Sequence, residues 1–297
     1  MLDRFLEENR LVIEKQFTEG SRCQGVYLVK KDHTPMILKI SDIPSEMAEI
    51  ERNLTGYRST QELGLDFFVP EMFLAGQQGK FTFILMEYLG ENFKSFMLRA
   101  GGIKDYMVLI NCLRRVYQKS IHKINHEVLA NQLDIFRELL KTSKHDSMAN
   151  YPIREIDLER LIHMFDFTLR QFAFSCWDFQ PDNLFLKNGV LKHADPQDKV
   201  IGIPVVDIGI IAGIIRDVEK LPKGDSGYEL LFGFAIAEVG QLLELSYNQS
   251  QAFFHLARLL QLLKGVKYRH LEARFELANR FAYMAQERFQ LLCSLLS

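Results

Sequence analysis

The sequence predicts an α+β protein with two lobes, a small antiparallel sheet carrying one helix and a larger, mostly helical part. Short β-rich runs separated by polar turns occupy the first ninety residues, which is typical of a sheet. From Lys94 onward, apolar residues recur at three- and four-residue steps, which is typical of helices. The 297 residues are also enough for about two units that each bury a core.

The first lobe, predicted to span residues 1–89, begins with a helix and continues as a sheet. Charged residues interrupt the apolar ones throughout residues 1–17, which predicts an amphipathic helix and excludes a signal peptide. The runs at 26–29 and 36–40 flank a polar turn and predict a hairpin. The remaining elements of this lobe are one helix with Met47, Ile50, Leu54 and Tyr57 on a single face, and strand candidates at 68–70 and 81–86.

The second lobe, predicted to span residues 90–297, is a helical bundle with two embedded strands. A strongly periodic helix is expected at 158–172, and several more between 228 and 296. Strand-like runs at 184–186 and 203–206 interrupt the helices. Residues 188–202 are expected to form a longer connection between these two strands.

Charge, cysteine usage and hydropathy narrow the class of protein. The 36 basic and 38 acidic residues give a net charge of -2, so no overall field attracts nucleic acid or an anionic membrane. The four cysteines form no Cys-x-x-Cys pair, which indicates neither a disulfide framework nor a cysteine zinc site and favours a reducing compartment. The longest apolar stretch, 201–215, is shorter than the roughly 20 residues of a membrane span. We therefore expect a cytoplasmic protein with no nucleic-acid partner and no membrane span.

Lys39 lies inside the apolar strand at 36–40, where an ammonium group without an anionic partner is costly. Glu49 and Glu51 on the following helix are the nearest candidate partners. Glu51 is preferred because it flanks the apolar positions Ile50 and Leu54 and can point toward the sheet. The alternatives are a snorkelling lysine on an edge strand and glutamates on a solvated helix face.

Polar residues in the second lobe are candidates for chemistry. Asp178 and Asn183 lie in a polar loop that runs into an apolar strand, so a carboxylate and an amide five positions later can face one pocket. A capped turn is the structural alternative. Asp207 follows the strand at 203–206 and precedes a glycine, where a carboxylate oxygen can hold a cation. A strand-end turn is the alternative at that position.

The order of these features along the chain is more specific than any one of them. A small-residue loop at 18–25, a strand lysine, a helix glutamate, an Asp-x-x-x-x-Asn and a strand-end aspartate follow one another on elements of the expected type. In this order, residues 17–209 resemble the protein-kinase-like superfamily, and within it the aminoglycoside phosphotransferase and choline kinase branch. The resemblance implies the bilobal protein-kinase-like fold, with ATP and Mg²⁺ as cofactors.

The resemblance implies nucleotide-binding roles for residues of the first lobe. Lys39 would contact the nucleotide phosphates and pair with Glu51. Backbone groups at Gly20 and Ser21 would approach the phosphate oxygens. The run at 86–89 looks like the kinase hinge, where the backbone of Glu87 and Leu89 would bind adenine.

In the second lobe, the resemblance implies the reaction centre. Asp178 matches the catalytic aspartate, which would orient the acceptor hydroxyl and take its proton. Asn183 and Asp207 match the magnesium ligands. They are 24 positions apart, a spacing that suggests an insertion between them.

The implied activity is an ATP- and Mg²⁺-dependent phosphotransferase that moves the γ-phosphoryl group to a hydroxyl of a small molecule, with an aminoglycoside-, choline- or sugar-like acceptor. Gln180 stands where protein kinases usually carry lysine, and no Ala-Pro-Glu follows Asp207, which favours a small-molecule partner. A protein kinase stays an alternative. A nucleotide-binding pseudokinase is the other, because Cys176 stands where the family usually has histidine.

Overall fold

The chain divides into two compact units. The computed structural model describes residues 2–18, 25–100, 103–120, 122–123, 171–174, 181–196, 201–202, 233, 236–237, 240–241, 244–271 and 273–296. One unit comprises Met1–Phe96 with Pro181–Val200, and the other comprises Met97–Gln180 with Ile201–Ser297. Residues 181–200 thus group with the sheet, whereas the predicted lobes place them with the helices.

The first unit is built on a five-stranded antiparallel sheet. Its strands are β1 (Val12–Phe17), β2 (Val26–Lys31), β3 (Thr34–Ser41), β4 (Met72–Gln78) and β5 (Phe81–Glu87), in the order β1-β2-β3-β5-β4. The predicted hairpin is confirmed as β2 and β3, whose register pairs Val26 with Lys39. On its other side β3 pairs with β5, where Ile84 is opposite Lys39. Lys39 therefore lies in an interior strand, which excludes the edge-strand alternative.

Two helices cover the two faces of this sheet. Phe5 of α1 (Leu2–Asn9) packs edge-to-face on Phe83 with ring centroids 4.7 Å apart, in a core shared with Leu38 and Ile40. The opposite face carries α2 (Pro44–Glu62), which confirms the helix predicted from its apolar spacing. The core beneath α2 consists of Val26, Ile50, Tyr57, Val69, Ile84 and Met86.

Residues 1–17 form a helix and then a strand, so the prediction of one amphipathic helix is wrong. The helix α1 ends at Asn9, and Arg10 follows in the left-handed region with a φ of 55°. The Leu11 N–H donates to the Leu6 carbonyl at 2.8 Å and closes the helix end. A left-handed residue cannot continue a right-handed helix, and the chain instead pairs with β2 from Val12 onward.

The strand predicted at 68–70 is also wrong, because a 3₁₀ turn occupies Asp66–Phe68. The Phe68 N–H donates to the Leu65 carbonyl at 2.8 Å, and the Phe68 side chain is fully buried. Pro70 has no N–H to give to a sheet, so the strand β4 begins after it, at Met72.

A short hairpin in the first unit replaces the long connection predicted at 188–202. The strands β8 (Leu184–Lys187) and β9 (Val190–His193) are antiparallel, with Leu184 opposite His193. Asn188 and Gly189 form the turn with φ values of 53° and 73°. Two positive φ values are the requirement of a type I′ turn, which Asn-Gly satisfies at little cost.

The second unit is helical in most of its described part. Its described helices include α4 (Ile103–Ser120), α5 (Tyr247–Leu271) and α6 (Phe275–Leu296), preceded by α3 (Phe93–Ala100), which crosses the boundary between the units. A three-stranded sheet of β6 (His122–Lys123), β7 (Gln171–Phe174) and β10 (Ile201–Gly202) accompanies them. The predicted helix at 158–172 lies outside the described residues except at Gln171 and Phe172, which belong to the strand β7, so its predicted end is wrong. The predicted strand at 203–206 lies wholly outside them. Within the described ranges, none of the helices has the length and hydropathy to cross a membrane.

Candidate functional site

The candidate site of the first unit centres on an ion pair between Lys39 and Asp195. The Lys39 Nζ donates to the Asp195 Oδ1 at 2.7 Å and to the Asn53 Oδ1 at 3.1 Å. The two charged side chains are 15% and 25% exposed, so the pair is shielded from bulk water without being sealed off. A charge-assisted hydrogen bond of this length is among the stronger polar contacts in proteins.

Strand alternation places Lys39 on the face of the sheet that α2 covers. Its neighbours Leu38 and Ile40 point into the core beneath α1. Because side chains alternate along a strand, Lys39 points the other way, with Ile37, toward the α2 face. The apolar strand predicted at 36–40 therefore places the ammonium group of Lys39 in a partly buried position.

The helix α2 contributes a neutral amide to Lys39, whereas the expected partner was Glu51. Glu51 accepts a hydrogen bond from Gln77 Nε2 of the edge strand β4 at 3.0 Å, an exposed contact. Asn53 is only 1% exposed and reaches Lys39 instead. Glu51 lies next to the buried Ile50 in sequence, but one residue is about 100° around a helix, so Glu51 reaches the edge of the sheet and not Lys39. The other candidate, Glu49, pairs with Arg52.

Asp195 is a candidate site residue that is not predicted from the sequence. It follows β9 by two positions, at the end of the hairpin that begins directly after Asn183. The Ala194 N–H donates to the Asn183 carbonyl at 2.9 Å, so Asn183 and Asp195 lie on adjoining segments. Two signals could have found it. Asn-Gly between short alternating runs predicts a hairpin, and the 24-position gap to Asp207 is long for one connection.

Tyr57 holds the carbonyl next to Asp195. Its hydroxyl lies 2.6 Å from the Ala194 carbonyl oxygen and 3.1 Å from the Met86 sulfur. The carbonyl is nearer and is the better acceptor, so the hydroxyl donates to it. Burial, reinforced by the charge of Asp195, raises the pKa of Tyr57 well above its usual value. The phenol therefore stays a neutral donor.

Asp195 and the predicted ligand Asn183 carry side-chain oxygens of the kind that suits a magnesium ion better than a zinc ion. Asp195 offers a carboxylate oxygen beside Lys39. Asn183, on the adjoining segment, carries an amide, and Mg²⁺ prefers oxygen donors of both kinds. Among the residues that the structure describes, no group of three or more His, Cys, Asp and Glu side chains could hold a metal alone. Mg²⁺ suits such a site because it commonly uses one or two protein ligands and completes its shell with water and phosphate.

Four predicted site residues lie outside the described part of the chain. These are the catalytic candidate Asp178, the metal candidate Asp207, and Gly20 and Ser21 of the proposed phosphate loop. Their roles stay predictions.

The predicted hinge contains an ionic cluster that joins β5 to the hairpin of β8 and β9. The Glu87 carboxylate accepts from Lys187 at 2.7 Å and from Lys192 at 2.6 Å. Although desolvation raises the pKa of Glu87, hydrogen bonds from the two lysines outweigh it and lower this pKa to about 2. Lys187 also donates to the Tyr88 carbonyl at 2.9 Å. The assignment of the Glu87 and Leu89 backbones to adenine binding stays a prediction.

Comparison with known proteins identifies the fold. No protein-family profile and no curated protein sequence matches the chain. Among solved structures, choline kinase LicA from Streptococcus pneumoniae is similar with a TM-score of 0.60 and 10% identity, over 97% of this chain and 99% of that one. A candidate fructosamine-3-kinase from Haemophilus somnus gives a TM-score of 0.59 and 10% identity, over 98% and 96%.

An aminoglycoside phosphotransferase, APH(2'')-Ib in its ADP-bound form, is also similar, with a TM-score of 0.56 and 14% identity over 97% of this chain and 98% of that one. The likeness covers nearly the whole length of each of the three chains. It confirms the predicted α+β class and the protein-kinase-like fold of the aminoglycoside phosphotransferase and choline kinase type.

Proposed function

We propose that this chain, with its protein-kinase-like fold, transfers the γ-phosphoryl group of ATP to a hydroxyl of a small molecule. The contact between Lys39 and Asp195 beside Asn183 is the observation that carries the proposal. It brings one cation, suited to phosphate oxygens, next to a carboxylate suited to Mg²⁺. The similar structures are named as kinases of choline, fructosamine and aminoglycosides, which supports a small-molecule acceptor.

In the proposed reaction, Lys39 binds phosphate oxygens and offsets the charge that moves during transfer. Asp195 takes the metal-binding role that the resemblance assigned to Asp207, and Asn183 keeps its own. When bound, Mg²⁺ neutralises charge on the phosphate oxygens. Asp178 orients the acceptor hydroxyl and accepts its proton as the new oxygen–phosphorus bond forms and the bond from the γ-phosphorus to the bridging oxygen breaks, which releases ADP.

Transfer of label from γ-labelled ATP to a panel of hydroxyl compounds tests the proposal. Cationic amino sugars, choline and sugars form the panel, and a protein mixture tests the protein-kinase alternative. Asp178→Ala should abolish transfer while ATP still stabilises the protein against unfolding. Turnover by Asp178→Ala equal to that of the parent would contradict the assigned base.

A nucleotide-binding pseudokinase is the second candidate, because Cys176 stands where the family usually has histidine. It predicts that ATP with Mg²⁺ stabilises the chain, by about 2.7 kcal/mol at a hundred times the dissociation constant. It also predicts that no acceptor receives label. Transfer to any acceptor at a rate above that of Asp178→Ala would exclude it.

A further inference from the structure

Asn53 and Tyr57 bind the backbone on both sides of Asp195. The Tyr57 hydroxyl donates to the carbonyl of Ala194 at 2.6 Å. The Asn53 Nδ2 donates to the carbonyl of Pro196 at 3.4 Å, a longer and weaker bond. Asn53 and Tyr57 are four positions apart in α2, so they project from one helix face toward the same segment.

The burial of Asn53 and Tyr57 indicates why these two positions of α2 carry polar groups. Asn53 and Tyr57 are each 1% exposed, and a buried polar group costs free energy unless it is hydrogen-bonded. An aliphatic side chain at either position would serve the core beneath α2 without that cost. The polar groups are therefore explained by what they bind, which is the segment that carries Asp195.

The whole segment from His193 to Pro196 is held in place. The fully buried His193 ring stacks on Phe68 with centroids 5.9 Å apart. Ala194 uses its N–H for the Asn183 carbonyl and its own carbonyl for Tyr57. Pro196 is buried and has a fixed φ. Asp195 thus sits between anchored neighbours, with its side chain turned to Lys39.

Asn53 also contacts Lys39, the positively charged member of the ion pair. Its Oδ1 accepts from Lys39 at 3.1 Å while its Nδ2 reaches the segment of Asp195. One amide therefore binds the ammonium directly and also binds the backbone of the segment that carries the carboxylate. Because the amide is neutral, Lys39 forms an ion pair with a single carboxylate in the described part of the chain.

We propose that Asn53 and Tyr57 are positioning residues that set the Asp195 carboxylate against Lys39 before nucleotide and metal bind. The meaning of that geometry for Mg²⁺ rests on the proposed phosphotransferase function. The two hydrogen bonds from Asn53 and Tyr57 to the backbone around Asp195 form a clamp. The clamp is a property of the ligand-free protein and is open to a test without ATP.

The test is the rate at which Lys39 is acetylated by an N-hydroxysuccinimide ester in the ligand-free, full-length protein, measured by peptide mass spectrometry. An ammonium group held by a carboxylate reacts slowly. The Tyr57 hydroxyl bonds Ala194 and Met86 rather than Lys39, so we expect Tyr57→Phe to change the rate through the segment that carries Asp195. We expect it to raise the rate about twofold to tenfold, the range that one hydrogen bond supports. Asn53→Ala should raise it at least as much.

Thr60→Val is the matched control. Thr60 is a fully buried residue of α2 whose hydroxyl donates within the helix to the Gly56 carbonyl at 2.7 Å. Its replacement deletes a buried hydroxyl from α2 without touching the segment at 193–196. A change in Tyr57→Phe no larger than that in Thr60→Val overturns the clamp. So does an unchanged rate in Asp195→Asn, because the ion pair would then not hold Lys39 in solution.

A second measurement connects the clamp to the metal. Tyr57→Phe should raise the Mg²⁺ concentration for half-maximal stabilisation by ATP by the same factor as the acetylation rate, and Thr60→Val should not. An unchanged Mg²⁺ midpoint together with faster acetylation overturns the link to metal binding. If ATP stabilises neither the parent nor any variant, the proposed function fails, and acetylation still decides the clamp.

Discussion

The Lys39 Nζ lies 2.7 Å from the Asp195 Oδ1, although the two residues are 156 positions apart in sequence. The ammonium comes from an interior strand and the carboxylate from the segment after a hairpin. Partly buried charges are stabilising only as a pair, because removing one leaves the other desolvated without compensation. The pair therefore ties the stability of the first unit to the residues proposed to bind phosphate and metal.

Asp195 and Asp207 are alternative candidates for the charged Mg²⁺ ligand, and a variant of each distinguishes between them. Asp195→Asn should abolish the extra stabilisation that Mg²⁺ adds to ATP, because an amide replaces the charged ligand. Thermal melts with ATP alone and with ATP plus Mg²⁺ measure this difference. Asp207→Asn should retain it. The reverse pattern would return the metal to Asp207.

Lys39→Met should lower the free energy of unfolding by about 1 to 3 kcal/mol, below the 3 to 5 kcal/mol of a fully buried pair. The cause is the uncompensated Asp195 carboxylate. Adding Asp195→Asn to Lys39→Met should restore part of the loss. Urea unfolding of the parent, both single variants and the double variant measures the coupling, and strictly additive effects would argue against the pair. Arg4→Met, in the exposed pair with Glu8, should change little.

Glu87→Gln should destabilise the protein at neutral pH by about 1 to 2 kcal/mol, since it weakens the charge-assisted hydrogen bonds from Lys187 and Lys192. The folded pKa of Glu87, about 2, lies below its ordinary value of 4.5. The contribution of this carboxylate is therefore complete above about pH 4.5 and is lost as the pH falls toward 2. The gap between parent and variant should close over that window. The exposed neighbour Glu71, changed to Gln, should show no comparable gap.

His255, in the helical unit, should make a second acid-sensitive contribution to the free energy of unfolding. Burial, together with Arg288 at 3.3 Å from its Nδ1, lowers the pKa of His255 from 6.5 to about 4. Between these values the unfolded chain binds the proton more readily, so stability falls as the pH drops from 6.5 to 4. His255→Gln should remove roughly 1 to 3 kcal/mol of that fall, measured by urea unfolding at several pH values. An unaltered pH slope would contradict the assignment, and His33→Asn at an exposed turn is the control.

Residue alternation and apolar spacing correctly predict the elements that are determined by neighbouring residues in the sequence. The β2 and β3 hairpin follows from alternation around a polar turn, and α2 from the apolar spacing of Ile50, Leu54 and Tyr57. Lys39 could be singled out because an apolar strand surrounds it. The strand at Val12–Phe17 escapes prediction because the break at Arg10 depends on a left-handed backbone, which periodicity does not show.

Partners across the fold could not be predicted in the same way. Glu51 and Asn53 are both polar residues of α2, and only the packing of the helix on the sheet decides which one reaches Lys39. Charge alone favours a carboxylate, yet the buried position holds an amide. Asp195 escapes prediction because a long connection is expected from Asn188 onward, whereas Asn188 and Gly189 form a tight turn. A two-residue turn returns the chain at once and ends β9 just before Asp195.

The site forms in two steps, of which the hairpin of β8 and β9 is the first and the approach of Lys39 is the second. Asn183 precedes the first strand of the hairpin and Asp195 follows its second, so a tight turn and four residue pairs set the backbone distance between these two residues. Such a hairpin closes in microseconds. The ammonium of Lys39 arrives only when a far longer loop closes, which is the slower and entropically costlier event. Local pairing thus brings together the two residues proposed to hold the metal, whereas the position of Lys39 beside them depends on the fold as a whole.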